Sequence, residues 1–379
     1  MQEFRFTEEE RLMVRPSLVL LAYSEAALKS PKVRRRLENL LMGNVKNFLR
    51  RHGFPAGRSW KEGGRIFLKQ ENAEAAAPLA AKVFGVDYAA PAVKAPLKLE
   101  ALGGVAVSLL QGKLKGRVRF AVRARRVGSH PYTSRDVERE VGRILLESFP
   151  GKLEVDLENP ELIIYVEARE KAAYIYREVF PGFGGLPEGS QGKTLTLLED
   201  NSDLAAAWLI MKRGVKPVIF STDEGKISGL GGKLAEWTAD GSLEAYMAEL
   251  PQTWRTLRKV EEGLKQALWE KAKVMAASQL ASKLKLSAVV YGVKLGEAAT
   301  INLKLLRLLR EGLNSLLLTP LAGLNGEALK VSEILGVRLE EKLTVDFSLE
   351  EALTLEGKVG LREAVSGDLR KVKKLTVKV

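Results

Sequence analysis

Arginines recur at even spacing along one predicted strand. Val118, Phe120 and Val122 alternate with basic positions in the stretch 117–125, and such alternation is typical of a strand with one buried face. The basic positions on the other face are Arg117, Arg119, Arg123 and Arg125. Guanidinium groups pair with phosphate as planar forks, so this face could bind a nucleic acid backbone. From the periodicity alone, a strand face that is merely exposed to water is a simpler explanation than a nucleic acid site.

Further candidates for contact with a polyanion lie in two other places. After the strand come Arg126, His130, Tyr132 and Arg135, among which Tyr132 and His130 are flat rings that could stack on an unpaired base. A predicted helix begins with Ser30 as N-cap and Pro31 at its first position, and its first turns contain Arg34, Arg35 and Arg36. An ordinary exposed helix start explains these three arginines equally well.

The overall charge points to the same class of partner. The 379 residues carry a net charge of +13, and residues 1–180 account for +10 of it, with 32 basic and 22 acidic side chains. A basic half of this kind is expected to bind a polyanion. The candidate binding half is therefore the first one.

Cysteine is absent from the chain. This excludes disulfides, a thiolate nucleophile, a persulfide of the chain's own and an iron–sulfur cluster. His52 and His130 are the two histidines, and no ligands cluster with them in the sequence, so we predict no metal.

No segment of the sequence is suited to span a membrane. The longest leucine-rich stretch, 301–318, is interrupted by charged residues, namely Lys304, Arg307, Arg310 and Glu311. We therefore expect a soluble, cytoplasmic protein with no membrane partner.

The first half is predicted to contain two small α/β domains. A strand at 18–23, the helix from Pro31, a strand at 65–69 and a helix at 73–83 indicate a ferredoxin-like domain over 1–95, ending in a proline-containing linker at 90–96. The second domain, 96–180, contains the arginine strand, a helix capped by Thr133 or Ser134 with Asp136 in its first turn, and a hairpin of 162–168 and 172–178.

The second half shows a different pattern. After a glycine-rich connector at 180–193, strands alternate with helices, as in a doubly wound parallel sheet. The predicted strands are 194–198, 217–221 and 287–291, and the predicted helices are 202–213, those between 252 and 284, 297–313 and 326–335. We assign 181–379 to this domain.

Three stretches, in order, resemble the tRNA 4-thiouridine synthetases, which are tRNA sulfurtransferases that also serve thiamine biosynthesis. The first is YSEAALKS at 23–30 with VRRR at 33–36, the second is RRVGSHPYTSRDVEREVG at 125–142, and the third is GGLP at 184–187 with Gly189 and 191–193. The likeness is thinner in AAAWLIMKRG at 205–214, at Gly292 and 295–296, and at 320–323. The resemblance implies a ferredoxin-like domain, a THUMP domain that binds tRNA acceptor ends, and an ATP-pyrophosphatase (PP-loop) domain.

One motif of that family is missing. Where the family has a Ser-Gly-Gly-x-Asp-Ser loop that grips ATP, this chain reads LEDNSD at 198–203. A phosphate loop needs glycines so that backbone N–H groups can approach the anion, and carboxylates at a helix N-terminus repel it. The resemblance also implies a cysteine persulfide that delivers sulfur, and the chain has no cysteine.

We therefore interpret the chain as a tRNA-binding protein with a degenerate PP-loop domain, without catalytic residues or a bound cofactor, and therefore not an enzyme. The alternative is an active tRNA sulfurtransferase that uses an altered site for ATP and magnesium and an external sulfur carrier. The family resemblance further implies binding at the tRNA acceptor end and a homodimer.

Overall fold

The computed structural model describes residues 15–55, 57–296 and 298–379. The chain divides into two compact units, Met1–Gly185 and Leu186–Val379. No helix within the described residues is both long enough and apolar enough to cross a membrane.

The first unit is built on one mixed sheet. Its strands are β1 (Leu18–Ala22), β2 (Ser59–Glu62), β3 (Arg65–Lys69), β4 (Tyr88–Ala95), β5 (Val118–Arg126), β6 (Leu153–Val155), β7 (Leu162–Ala168), β8 (Ala173–Tyr176) and β9 (Phe180–Pro181). They are ordered β2-β3-β1-β4-β8-β7-β5-β6, and β9 pairs with β4. The helices are α1 (Pro31–Arg51), α2 (Ala73–Ala81), α3 (Leu99–Leu110) and α4 (Ser134–Ser148).

The predicted linker at 90–96 is wrong. Most of it belongs to β4, which pairs with β1 over its first five residues and with β8 from Val93 to Ala95. Pro91 is tolerated inside this strand because it lies between the stretch paired with β9 and the stretch paired with β8. The sheet is therefore continuous across the segment expected to separate two domains.

Several local predictions in the first unit are confirmed. Helix α1 begins after Ser30 with Pro31 in its first turn, and the predicted hairpin is formed by β7 and β8. Thr133 caps α4, and a capping box joins it to Asp136, whose side chain accepts the Thr133 backbone N–H at 2.8 Å. Both residues therefore have structural partners.

The second unit is a doubly wound α/β domain, as predicted. Its strands are β10 (Lys193–Leu197), β11 (Lys216–Ser221), β12 (Ser242–Met247), β13 (Ala288–Val290), β14 (Leu316–Leu318) and β15 (Lys373–Lys378), in the order β14-β13-β10-β11-β12-β15. All neighbours are parallel except β12 and β15. The helices are α5 (Asn201–Lys212), α6 (Pro251–Leu257), α7 (Glu262–Lys283), α8 (Ala299–Arg310), α9 (Asn325–Leu335), α10 (Leu349–Lys358) and α11 (Leu361–Asp368), with further short helical turns between 224 and 235.

Sequence reasoning missed β12, β14, β15 and the helices after residue 337. It placed the start of α8 at Glu297, which lies outside the described residues. The carboxyl ends of β10, β11 and β13 meet at one edge of the sheet, where ligands of such folds bind. This edge contains residues 198–203, which connect β10 to the first turn of α5.

Candidate nucleic-acid interface and nucleotide crevice

The carboxyl-terminal end of β5 carries three exposed arginines, Arg123, Arg125 and Arg126, which we call the arginine cluster. Arg123 donates a hydrogen bond to the Leu157 carbonyl, and Arg126 donates one to the His130 carbonyl at 3.4 Å. Among the described residues, no carboxylate lies within ion-pair distance of the cluster. Its charge is therefore available to an anion.

The other two arginines of this strand face are already paired. Arg117 lies 3.0 Å from a carboxylate oxygen of Glu154, and Arg119 lies 3.1 Å from Asp156 and 3.5 Å from Glu161. Both side chains are exposed, so these ion pairs contribute little to stability, but they offset the positive charge locally. Arg135 is exposed at the start of α4.

His130 and Tyr132 contact each other. Their rings stack with centroids 5.4 Å apart and 17° between their planes. Tyr132 also packs against the buried core of this part of the unit, and burial raises the pKa of its hydroxyl. An RNA base could stack here only on the ring surface that His130 and Tyr132 leave exposed.

The arginines of α1 differ from one another. Arg34 is half-buried and donates from Nε to Glu38 at 2.8 Å, and Glu38 also accepts a hydrogen bond from the Tyr23 hydroxyl. Burial tends to raise the pKa of Glu38, but hydrogen bonds from Tyr23 and Arg34 lower it overall. Arg34 therefore has a structural role, whereas Arg35 and Arg36 are exposed.

In the second unit, the carboxylates of residues 198–203 bind backbone N–H groups of this segment and its surroundings. Asp200 is the N-cap of α5 and accepts the Asp203 N–H at 3.0 Å. Asp203 is fully buried and accepts the N–H groups of Glu199 at 3.0 Å and Gly292 at 2.8 Å. Carboxylates thus accept one N–H of the first turn of α5 and two N–H groups of the adjoining backbone.

A lysine from a distant part of the chain completes this arrangement. Lys342 Nζ lies 2.6 Å from a carboxylate oxygen of Asp200 and 2.8 Å from one of Asp203, and only 2% of its side chain is exposed. The same ammonium group lies 4.6 Å from the centre of the Tyr291 ring. Burial acts to lower the pKa of Lys342, but the two carboxylates raise it overall. Its positive charge therefore occupies the space beside the first turn of α5.

The neighbouring backbone holds Lys342 in place. Ser202 Oγ donates to the Glu340 carbonyl at 2.8 Å and accepts the Glu340 N–H at 2.9 Å. Gly292 lies so close to α5 that a Cβ atom there would be 2.2 Å from the Ser202 carbonyl carbon. The segment 340–342 therefore covers the helix N-terminus.

Glu199 is also fully engaged. It is buried and accepts hydrogen bonds from Ser221 Oγ at 3.1 Å and the Thr222 N–H at 2.6 Å, and it pairs with Lys226 at 2.8 Å. Burial acts to raise its pKa, but Lys273, Lys226 and the Thr222 N–H lower it overall. We call Glu199, Asp200, Asp203 and Lys342 the closed crevice. Sequence reasoning found its carboxylates but not Lys342.

Three family models match the chain. They are the ThiI ferredoxin-like domain at residues 18–90, the THUMP domain at 98–178, and the thiamine biosynthesis protein (ThiI) at 189–337. The arginine cluster lies inside the THUMP match. The first three members of the closed crevice lie inside the ThiI match, and Lys342 lies beyond its end.

Similar proteins agree with these matches. The chain is 32% identical to a probable tRNA sulfurtransferase of Methanothermobacter thermautotrophicus, over 81% of each chain. It is 34% identical to a probable tRNA sulfurtransferase of Aeropyrum pernix, over 82% of this chain and 80% of that one. The crystal structure of a 4-thiouridine synthetase in complex with RNA and bound ATP has a TM-score of 0.79 at 22% identity, covering 96% of this chain and 100% of that one, which establishes a shared fold.

Proposed function

Because the chain belongs to the tRNA sulfurtransferase family, we propose that it binds tRNA through its first unit and that its closed crevice neither binds ATP nor supports thiolation. We also propose the division into a ferredoxin-like domain at 1–95, a THUMP domain at 96–180 and a degenerate PP-loop domain at 181–379. The protein would act on tRNA as a binding partner rather than as an enzyme.

The position of Lys342 is the observation that supports the loss of ATP binding. Phosphate binds at helix N-termini because backbone N–H groups and the helix dipole attract anions. Here Asp200 takes the N–H of Asp203 in the first turn of α5, Asp203 takes the N–H groups of Glu199 and Gly292 beside the helix, and Lys342 neutralises the two carboxylates. A triphosphate would have to displace a buried ion pair and then face unpaired carboxylates, each of which repels it.

The arginine cluster supports tRNA binding at the first unit. Its three guanidinium groups are exposed and free of carboxylate partners, and phosphate contacts of this kind dominate RNA affinity. The cluster adjoins the residues that the sequence likeness associates with tRNA acceptor ends, so we place the acceptor end there. The other predicted contacts, Arg35, Arg36 and Arg135, stay secondary candidates.

Two measurements on the full chain test the proposal. Calorimetry with ATP and magnesium should give no binding, and micromolar affinity would contradict the closed crevice. A gel shift with a tRNA transcript should show binding, and its absence would contradict the RNA role.

The alternative, an active sulfurtransferase, predicts a different product. Incubation of the chain with tRNA, ATP, magnesium and a persulfide donor would then yield 4-thiouridine, detected by mass spectrometry above a control without protein. We expect none.

A further inference from the structure

A second basic surface lies at the carboxyl edge of the sheet in the second unit. It is formed by residues 254–259, at the end of α6, and by residues 370–373, which lead from α11 into β15. Six exposed cations belong to it, three from each segment, namely Arg255, Arg258, Lys259, Arg370, Lys371 and Lys373. We call these six cations, together with Trp254, the basic edge.

Backbone pairing brings the two segments together. The Asp368 carboxylate, at the end of α11, accepts the N–H groups of Gln252 at 3.1 Å and Thr253 at 2.9 Å in the first turn of α6. Lys373 lies opposite Met247 at the carboxyl end of β12, from which the chain leads into α6. Residues 370–373 therefore lie beside the start of α6.

The basic edge has a surplus of positive charge. Among the described residues, no carboxylate lies within ion-pair distance of any of its six cations. The segments 249–259 and 370–373 contain one acidic side chain, Glu249, against these six. The carboxylates that come next along the chain are used within α7, where Glu261 is the N-cap and Glu262 pairs with a lysine of the same helix. The surplus charge is therefore available to an anion of several charges.

An aromatic ring accompanies these cations. Trp254 is 49% exposed, and its ring meets that of Trp269 edge to face, with centroids 5.2 Å apart and 78° between the planes. Trp269 belongs to α7 and packs on the buried core of the second unit, so it holds Trp254 in place. An exposed tryptophan close in sequence to Arg255 and Arg258 is a combination that stacks an unpaired base and binds the adjacent phosphates.

We propose that the basic edge binds the tRNA away from its acceptor end, with phosphates beside the cations and an unpaired nucleotide of a loop stacked on Trp254. The assignment rests on the proposed tRNA binding, in which the arginine cluster of the first unit takes the acceptor end. The remaining phosphates lie along the body of the tRNA, and a second basic surface is complementary to them. An acidic protein is a weaker fit, because the centre of a protein interface is depleted of charged residues, whereas Trp254 is accompanied by cations of one sign.

The test measures binding of the full chain to two RNAs, a whole tRNA and a minihelix that contains its acceptor arm alone. Arg255→Gln with Arg258→Gln and Lys259→Gln should lower the slope of log affinity against log salt concentration for the whole tRNA by about two to three, the value for three phosphates. The slope for the minihelix should stay unchanged, because the arginine cluster binds that part of the tRNA.

Two further comparisons complete the test. The matched control is Lys283→Gln with Lys330→Gln and Lys358→Gln, which removes the same charge from exposed positions of the second unit and should change neither slope. Trp254→Leu should weaken binding of the whole tRNA about tenfold, as expected for loss of one stacked base, and binding of the minihelix less than about twofold. Trp254→Phe should retain most of the affinity. The charge substitutions lie at exposed positions, so they test the proposal even if Trp254→Leu fails to fold.

An unchanged slope for the whole tRNA in the triple charge variant would overturn the assignment, and the cations would then serve only the helix dipole of α6 or an acidic protein. An equal loss on the whole tRNA and the minihelix would also overturn it, because the basic edge would then contact the acceptor arm. Failure of the wild type to bind either RNA would instead overturn the proposed function, and this assignment with it.

Discussion

Replacing Lys342 by Met tests the closed crevice directly. The ammonium group is almost fully buried and lies 2.6 Å and 2.8 Å from two carboxylates, and Met fills a similar volume without the charge. Removing one partner of a buried ion pair typically costs about 3–5 kcal/mol, because the remaining charges stay buried without compensation. We expect Lys342→Met to lower the free energy of unfolding of the second unit by that amount at pH 8.

The penalty should depend on pH in a defined direction. Burial raises the pKa of Asp203 from 3.8 to about 7, although Lys342 acts to lower it. Without Lys342 the pKa of Asp203 rises further. A group whose pKa is raised on folding stabilises at low pH, and this stability is lost as pH rises through the folded-state pKa. The difference between variant and wild type should therefore grow between about pH 6 and pH 8.

Denaturant unfolding followed by tryptophan fluorescence gives the readout. Four of the five tryptophans belong to the second unit, namely Trp208, Trp237, Trp254 and Trp269. The matched control is Lys304→Met, which removes an ion pair of 2.7 Å with an exposed Asp346 and should cost no more than about 1 kcal/mol. The reasoning would be refuted if the Lys342→Met protein were as stable as the control at pH 8. It would also be refuted if the loss of stability were the same at pH 6 and pH 8.

Three further outcomes are expected. Changing all three residues of the arginine cluster to Ala should lower the slope of log affinity against log salt concentration for tRNA by about two to three. Changing the paired Arg117 and Arg119 to Ala should lower this slope less. Anisotropy titrations between about 50 and 200 mM salt measure both slopes. Glu167→Gln should destabilise the first unit by several kcal/mol in circular dichroism melts, because Glu167 is buried between Arg65 and Arg169. The control Glu170→Gln, at an exposed position, should change the stability by no more than about 0.5 kcal/mol. Light scattering at micromolar concentration should give about twice the monomer mass of 41.7 kDa; a monomeric mass would contradict the homodimer.

Much of the fold was predictable because its signals are local. The cap and proline before α1, the capping box of α4 and the β7–β8 hairpin each depend on residues a few positions apart. The alternation of strands and helices in the second half likewise indicated a parallel sheet. The β4 segment gave no such signal. It is a run of small residues that contains Pro91 and is followed by Pro96, and it lacks the alternation of buried and exposed positions that is typical of a strand.

The candidate site was predictable only in part, because charge pairing depends on topology. Arg119 and the arginine cluster look alike in sequence, but Asp156 and Glu161 lie beside Arg119 only because β6 and the segment after it pack next to the start of β5. Lys342 is 142 positions from Asp200 and belongs to no motif. In the first unit, stacking on Phe67 likewise joins Trp60 to Tyr174, which are 114 positions apart.

The residues of the closed crevice depend on one another. The positive end of α5 needs negative charge, which a bound phosphate would supply; in this chain Asp200 and Asp203 supply it. Two carboxylates this deeply buried need a counter-ion, and Lys342 provides it. Restoring glycines at 199–201 alone would therefore leave Lys342 and Asp203 in the crevice, with the lysine now lacking one of its partners. Under the proposed loss of ATP binding, an ATP site at this edge would therefore require both residues 198–203 and the segment 340–342 to change together.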